Sequence, residues 1–165
     1  MCPMTSRRAF VTAAVRGVAF ALVTALFTAV PLFHGFLWCV YIGFFLTMAF
    51  GVKLSECPNY LCSLLVGYVW ALAYVFGHQW LEAWFAMPFL LALSLSELVL
   101  TFLLIFVHLR FLSRTWLNKV PAVFAAVATV FAAGGIQHLP LCALSAVIGI
   151  SMAVGTEVLI QWLVK

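Results

Sequence analysis

The stretch of sequence that most limits the fold covers residues 85–109. Of its 25 residues only Glu97 is charged, and most of the others are apolar. A helix of this length and composition can cross the hydrocarbon core of a bilayer with some tilt. The whole chain has the same character, since 67% of its 165 residues are hydrophobic and only 7% are charged. Because so few charges cannot cover a water-facing surface, we predict an all-α integral membrane protein, with residues 1–165 forming a single transmembrane domain in the lipid bilayer.

Proline, glycine and charged residues divide the chain into six apolar segments, each predicted to be a transmembrane helix. The segments cover approximately residues 17–33, 37–50, 58–76, 85–109, 120–133 and 141–164. The second and fifth segments are near the lower length limit for crossing a bilayer. The connections between segments are short, which leaves no room for a domain outside the membrane.

Lysine and arginine residues lie at alternate connections of a six-span chain. These positions are Arg7, Arg8 and Arg16 before or at the start of the first span, then Lys53, then Arg110, Arg114 and Lys119, and finally Lys165. The remaining connections contain histidines and Glu82 but neither lysine nor arginine. Because cytoplasmic connections of membrane proteins are enriched in lysine and arginine, we expect both termini to lie in the cytoplasm.

Two segments of the chain share a pattern of proline and small residues. PNYLCSLLVGYVWA begins at residue 58, and PLCALSAVIGISMA begins at residue 140. At a constant offset of 82 residues, the shared positions pair Pro58 with Pro140, Ser63 with Ser145, Gly67 with Gly149 and Ala71 with Ala153. Halves of about residues 1–84 and 85–165 would each hold three spans, and an odd number of spans inserts the halves in opposite senses. The pattern therefore predicts a 3+3 inverted repeat, an arrangement known from channels and transporters.

The small residues of this pattern are four positions apart and share one face of each predicted helix. They are Ser63 and Gly67 in the third span, and Ser145 and Gly149 in the sixth. Small residues at this spacing allow helices in a membrane to pack closely. The same faces could instead line a pathway, which Trp70 and Tyr74 of the third span would narrow. Two such faces give more packing surface than one six-helix bundle needs, so we also expect a homo-oligomer.

Polar residues form a stripe along the fourth predicted helix. Ser94, Glu97, Thr101 and His108 follow spacings of 3, 4 and 7 residues, which place them on one helical face. A second acidic residue, Glu157, lies in the sixth span. A carboxyl group within the membrane is costly unless it is protonated, paired or facing water. Two interpretations stay open: protonated acids that hydrogen-bond a neighbouring helix, and acids that line a pathway.

The sequence contains no P-loop, GxSxG, HExxH or CxxC motif. Four residues separate Cys57 from Cys62, and no second pair at metal-binding spacing follows, so neither a metal site nor a disulfide framework is predicted. We expect no enzymatic activity and no cofactor. Because no stretch is polar enough for a soluble domain, we also expect no binding of nucleic acid.

Three stretches of the chain resemble a known family. They are GFLWCVY at residues 35–41, LLVGYVWALA at residues 64–73, and VPAVFAAVATVFAAGG at residues 120–135. Together they resemble the small bacterial inner-membrane proteins catalogued as domain of unknown function 1097, over roughly residues 35–162. The resemblance implies a compact multi-span protein of the bacterial inner membrane. It supplies no catalytic residue to carry over, and neither Glu97 nor Glu157 falls on a motif of the family.

Three functions are compatible with these features. The first is a channel or facilitator for a small neutral or weakly ionised solute, which suits a long apolar wall with few hydroxyl and aromatic groups. The second is a proton-coupled transporter of a small solute, in which Glu97 exchanges a proton. The third is a membrane assembly subunit that transports nothing. We expect the first, with Glu97, Ser94, Thr101, Glu157, Trp70 and Tyr74 as the intramembrane polar or pathway residues.

Overall fold

The computed structural model describes residues 6–51 and 53–164. This part of the chain contains six α-helices and no strand, which confirms the predicted all-α class. The helices are α1 (Ser6–Ala29), α2 (Leu37–Ala49), α3 (Cys57–Phe85), α4 (Phe89–Arg110), α5 (Val120–Ala132) and α6 (Leu139–Leu163). Short 3₁₀ helices lie at Pro31–Phe33, Leu54–Glu56 and Ile136–His138.

Four of the six helices are long and apolar enough to cross a membrane. They are α1, α4, and the two continuous segments that contain α3 and α6, at Leu54–Phe85 and Ile136–Leu163. The other two, α2 and α5, have 13 residues each. At the usual rise per residue a 13-residue helix is about 20 Å long, against roughly 30 Å for the hydrocarbon core. The second and fifth segments, predicted to be near the lower length limit, are therefore the short helices α2 and α5.

Four helix ends lie four or more residues from their predicted positions, and one of these is the start of α4 at Phe89 rather than at residue 85. Helix α1 begins at Ser6 rather than at residue 17, so its arginines belong to the helix itself. It ends at Ala29 because Pro31 disfavours a helical conformation at the residue before it, and Val30 is extended, with φ −102° and ψ 108°. Helix α3 continues through Gly77 and ends at Phe85, where Ala86 adopts a positive φ of 49°.

The chain divides into two compact units. The first, here the α1–α2–α6 unit, comprises Met1–Cys57 and Leu144–Lys165. Its helices approach closely at glycines, because a Cβ at Gly43 would collide with the backbone of Ala146. A Cβ at Gly149 would collide with the carbonyl oxygen of Val40 and lie 2.9 Å from the backbone nitrogen of Phe44. Close backbone contact of this kind joins α2 to α6 within the unit.

The second unit, here the α3–α4–α5 unit, comprises Pro58–Ala143. Its close helix contact is again at a glycine of the small-residue pattern, since a Cβ at Gly67 would collide with the Val123 carbonyl and lie 2.6 Å from the Cβ of Ala126. The hydroxyl groups of Tyr68 and Thr129 are 3.2 Å apart and hydrogen-bonded in the interior. These contacts join the short helix α5 to α3.

Candidate functional site

A cavity of about 560 Å³ lies inside the α1–α2–α6 unit. We call it the Arg16 cavity; its lining includes Arg16, Thr47, Met48, Gly51, Lys53, Leu54, Ser55, Ala153, Val154, Glu157, Val158 and Gln161. The local sequence explains why the cavity lies beside the end of α2. Helix α2 stops at Ala49, and the chain turns at Gly51, whose φ of +60° favours glycine. The turn residues that follow line the cavity, together with α1 and the C-terminal half of α6.

An ion pair crosses this cavity from α1 to α6. The Nη2 atom of Arg16 donates a hydrogen bond of 2.8 Å to Oε2 of Glu157. The two side chains are 19% and 31% exposed, so the pair is mostly withdrawn from solvent. The other carboxylate oxygen, Oε1, lies 3.7 Å from Nη2 of Arg8 and accepts a hydrogen bond of 3.4 Å from Gln161. Glu157, predicted from sequence as a second intramembrane acid, is thus a paired carboxylate.

Basic groups outnumber acidic groups at the Arg16 cavity. Arg16 and Lys53 belong to the lining, Arg8 reaches Glu157 from α1, and Glu157 is the acidic member. The Nε atom of Arg16 is buried and has no hydrogen-bond partner among the described residues. The hydroxyl of Thr47 donates to the Gly43 carbonyl at 2.8 Å, so its proton is already used within α2. The residues at the cavity therefore carry an excess of positive charge, and Arg16 also has one buried donor that is not satisfied.

A second polar cluster lies in the α3–α4–α5 unit and comprises Glu97, His78, Tyr74 and Thr101; we call it the Glu97 cluster. The hydroxyl groups of Tyr74 and Thr101 are hydrogen-bonded at 2.6 Å. Nδ1 of His78 lies 3.1 Å from the carbonyl oxygen of Tyr74. Glu97 is half-buried, and its carboxyl group is close enough to His78 for an electrostatic interaction. The hydrogen bond between the Tyr74 and Thr101 hydroxyl groups joins α3 to α4 within this cluster.

The residues of the polar stripe predicted along α4 do not all lie in the Glu97 cluster. Ser94 is exposed and lies outside the cluster, whereas Ser96, which the predicted stripe omits, is buried. His108 is 1% exposed, with Nδ1 2.8 Å from the Leu104 carbonyl oxygen. The ring of Trp70 lies 6.2 Å from that of His108, centroid to centroid. Helix α4 therefore turns its Glu97–Thr101 segment toward α3 and leaves Ser94 at the surface.

The four predicted helix-packing residues are all buried: Ser63, Gly67, Ser145 and Gly149. The two glycines make the close contacts described above. The Ser63 hydroxyl donates to the Trp116 carbonyl at 3.4 Å and accepts from the Lys119 backbone N–H at 3.1 Å. The Ser145 hydroxyl has no hydrogen-bond partner in the part of the chain that the structure describes.

The Arg16 cavity was not predicted from the sequence, in which Arg16 is a residue at the edge of the first span and Glu157 a second intramembrane acid. A signal was present, because a charge within a membrane helix needs a partner, and Arg16 and Glu157 lie near the same predicted membrane face. Lys53 carried no comparable signal, since it lies in a connection where lysine is expected.

Among the described residues, no group of three or more His, Cys, Asp or Glu side chains is arranged to hold a metal ion. A family described as protein of unknown function (DUF1097) matches the chain over residues 11–164. No curated protein and no solved structure matches the chain.

Proposed function

The chain belongs to the DUF1097 family, and we propose that this member is a channel or facilitator that lets a small neutral or weakly ionised solute cross the membrane. The observation that carries the proposal is the Arg16 cavity. Its volume of about 560 Å³ falls within the range typical of small-molecule sites. Charged and polar side chains within otherwise apolar helices are costly, and in membrane proteins they usually mark a solute or ion pathway.

An ion pair that only joined two helices would need no free volume beside it. Here Arg16 and Glu157 stand at a cavity whose other lining residues include Lys53, Ser55 and Gln161. Side chains of these types can bind a solute through hydrogen bonds or charge. The free volume beside the pair therefore favours solute binding over a purely structural role. A catalytic role has no comparable support, and we propose that the protein is not an enzyme.

The Glu97 cluster favours a second candidate, a proton-coupled transporter. Glu97 and His78 interact electrostatically, and acidic and histidine side chains form the proton relays of many membrane transporters. In that mechanism Glu97 takes up and releases a proton during each transport cycle. A strict requirement for a pH gradient would distinguish this mechanism from simple facilitation.

The order of helices supports the proposed 3+3 inverted repeat. The first half contains helices of 24, 13 and 29 residues, with a three-residue 3₁₀ helix before the last. The second half contains helices of 22, 13 and 25 residues, again with a three-residue 3₁₀ helix before the last. The first half has an additional 3₁₀ turn at Pro31–Phe33. Pro58 and Pro140 occupy the second position of α3 and α6.

The two compact units support the same arrangement. Each unit combines the first two helices of one half with the third helix of the other, since α6 belongs with α1 and α2, and α3 with α4 and α5. In each unit the patterned glycine meets the carbonyl of a valine on the short helix: Gly149 meets Val40, and Gly67 meets Val123. We propose that the third helices are exchanged between two halves of opposite orientation.

We further propose a bacterial inner-membrane location with both termini in the cytoplasm. Arg16 lies in the N-terminal half of α1 and Glu157 in the last two turns of α6. With cytoplasmic termini, both residues lie toward the cytoplasmic face, so the Arg16 cavity is a cytoplasmic-side solute site.

We also propose a homo-oligomer. Many large apolar side chains of α4, such as Leu98, Phe102 and Phe106, are exposed and can contact lipid or a second copy.

The test is solute flux into proteoliposomes that contain the full chain, measured by stopped-flow light scattering with glycerol, urea and acetic acid. In Val158→Trp, the indole would occupy the Arg16 cavity, and we expect flux to fall several-fold. Leu159→Trp is the matched control, because Leu159 is the next residue of α6, is similarly exposed, and does not line the cavity. Absence of flux for all three solutes, or equal flux in the two variants, would overturn the proposal.

A further inference from the structure

We propose that the Arg16 cavity binds the oxyanion group of its ligand, a carboxylate or a phosphate, and that Glu157 competes with this ligand for Arg16. The inference rests on the proposed function and deepens it, because it names the chemical class of the solute. A weakly ionised carboxylic acid or a phosphate-bearing solute would bring such a group from solution. The headgroup of an acidic phospholipid would bring the same chemistry from the bilayer.

The first support is the local charge. Arg8, Arg16 and Lys53 are the basic groups that line the cavity or contact its carboxylate, and Glu157 is the corresponding acidic group among the described residues. Glu157 can balance one of these positive charges. An excess of positive charge in a partly desolvated cavity attracts an anion more strongly than it would in water. The field of the site therefore selects an anion over a cation.

The second support is the hydrogen bonding of Arg16. A guanidinium group offers several N–H donors in one plane and binds a carboxylate or phosphate through two of them. Glu157 accepts from Nη2, whereas the buried Nε–H lacks an acceptor among the described residues. A buried donor without a partner is destabilising, so an acceptor that reaches Nε is favoured. An oxyanion that displaces Glu157 lets the Arg16 side chain turn, so that Nε–H and Nη2–H donate to it together.

The third support is the flexibility of the neighbouring cation. Lys53 is exposed and lies in the turn after α2, where a long, mobile ammonium group can follow a ligand into the cavity. Gln161, one turn after Glu157 on α6, donates to the Glu157 carboxylate. This hydrogen bond can hold the carboxylate away from Arg16 when a ligand arrives. Ligand binding then replaces the Glu157 carboxylate with the oxyanion group of the ligand at the Arg16 guanidinium group.

This competition gives the proposal a distinctive prediction. Glu157→Gln removes the competing charge but keeps the size of the side chain, so we expect sodium acetate or sodium phosphate to bind at least about tenfold more tightly than to the wild type. Arg16→Gln should abolish that binding, and Lys53→Gln should weaken it several-fold. Arg114→Gln is the matched control, because Arg114 is an exposed arginine outside the cavity and its loss should change nothing.

The measurement is the thermal unfolding midpoint of the full chain in a neutral detergent, titrated with acetate or phosphate against chloride at matched ionic strength. A parallel arm compares nanodiscs of neutral lipid with nanodiscs that contain phosphatidylglycerol. Stabilisation by the soluble anions supports a solute site. Stabilisation by phosphatidylglycerol alone supports the oxyanion site but assigns it to a lipid headgroup.

No stabilisation in either arm would overturn the inference, as would weaker binding in Glu157→Gln. The results that would overturn the proposed function differ from those that would overturn the oxyanion site. Flux that Val158→Trp lowers, without any anion effect, would leave the transport proposal standing and remove the oxyanion site. Anion binding without flux would leave the oxyanion site standing and remove the transport proposal.

Discussion

Removal of either partner from the Arg16–Glu157 pair should destabilise the protein, and by unequal amounts. Breaking a fully buried ion pair costs about 3–5 kcal/mol, whereas an exposed pair contributes about 0.2–1 kcal/mol. The side chains here are 19% and 31% exposed, so an intermediate loss is expected. Glu157→Leu leaves Arg16 charged and unpaired, since a guanidinium group does not lose its proton. We therefore expect Glu157→Leu to lower the free energy of unfolding by about 2 kcal/mol.

Arg16→Met should cost less, about 1 kcal/mol. In that variant Arg8, already 3.7 Å from Glu157, can move closer and replace the lost partner. The double variant Arg16→Met/Glu157→Leu leaves no buried charge without a partner at this position, since the Arg8 side chain is half exposed. It should therefore be nearly as stable as the wild type, so the expected coupling energy is about 3 kcal/mol, the sum of the two single losses.

The assay is reversible unfolding of the full chain in mixed micelles, followed by tryptophan fluorescence over a series of denaturing-detergent fractions. Arg114→Met serves as the control for loss of a basic residue outside the pair. Sodium acetate should restore part of the stability lost in Glu157→Leu, because an anion can replace the missing carboxylate at Arg16. Strictly additive effects of the two single substitutions would refute the reasoning, since they would mean that the two side chains do not depend on each other.

Gly149→Ala should destabilise the chain by about 2 kcal/mol in the same assay, because its Cβ would meet backbone of α2, whereas Gly155→Ala, with open space around it, should be neutral or slightly stabilising. Equal stability of the two alanine variants would contradict the close contact. Reporter fusions after His78 and after Arg114 should report opposite compartments, and the same compartment for both would remove the six-span topology. Glu97→Gln should preserve assembly and most of the flux in a facilitator but abolish flux in a proton-coupled transporter. Glu97→Leu should impair both mechanisms, and wild-type stability and flux in Glu97→Leu would show that this acid has no interior role.

Local sequence signals were sufficient for the helices themselves. Apolar runs predicted all six helices, and the two short ones were identified by length. Pro58 and Pro140 marked the starts of α3 and α6 to within one residue, because proline is tolerated in the first turn of a helix. The start of α1 at Ser6 was missed because Arg7 and Arg8 were interpreted as a flank outside the membrane, although arginine is a good helix former.

The candidate site depends on contacts that local signals do not contain. Arg16 and Glu157 are 141 positions apart in the chain, and their pairing requires that α1 and α6 belong to the same compact unit. The sequence halves suggested a different grouping, with the first three spans in one half and the last three in the other. Tyr74 and Thr101 were each predicted as polar residues of the pathway, but their hydrogen bond follows from the approach of α3 to α4.

The two intramembrane acids of this chain differ in what their partners can do. Glu157 is paired with the guanidinium group of Arg16, and the exchangeable species that we propose at that site is an anion. Glu97 interacts with His78, and because acid and histidine side chains form proton relays in membrane transporters, the exchangeable species that we propose there is a proton. A weak acid is the solute class that supplies both species, since it crosses a membrane either as the neutral acid or as an anion together with a proton. This pairing of an oxyanion site with a proton-exchanging site would make facilitation and proton coupling two modes of one mechanism, and acetate flux in Glu97→Gln, with and without an imposed pH gradient, separates them.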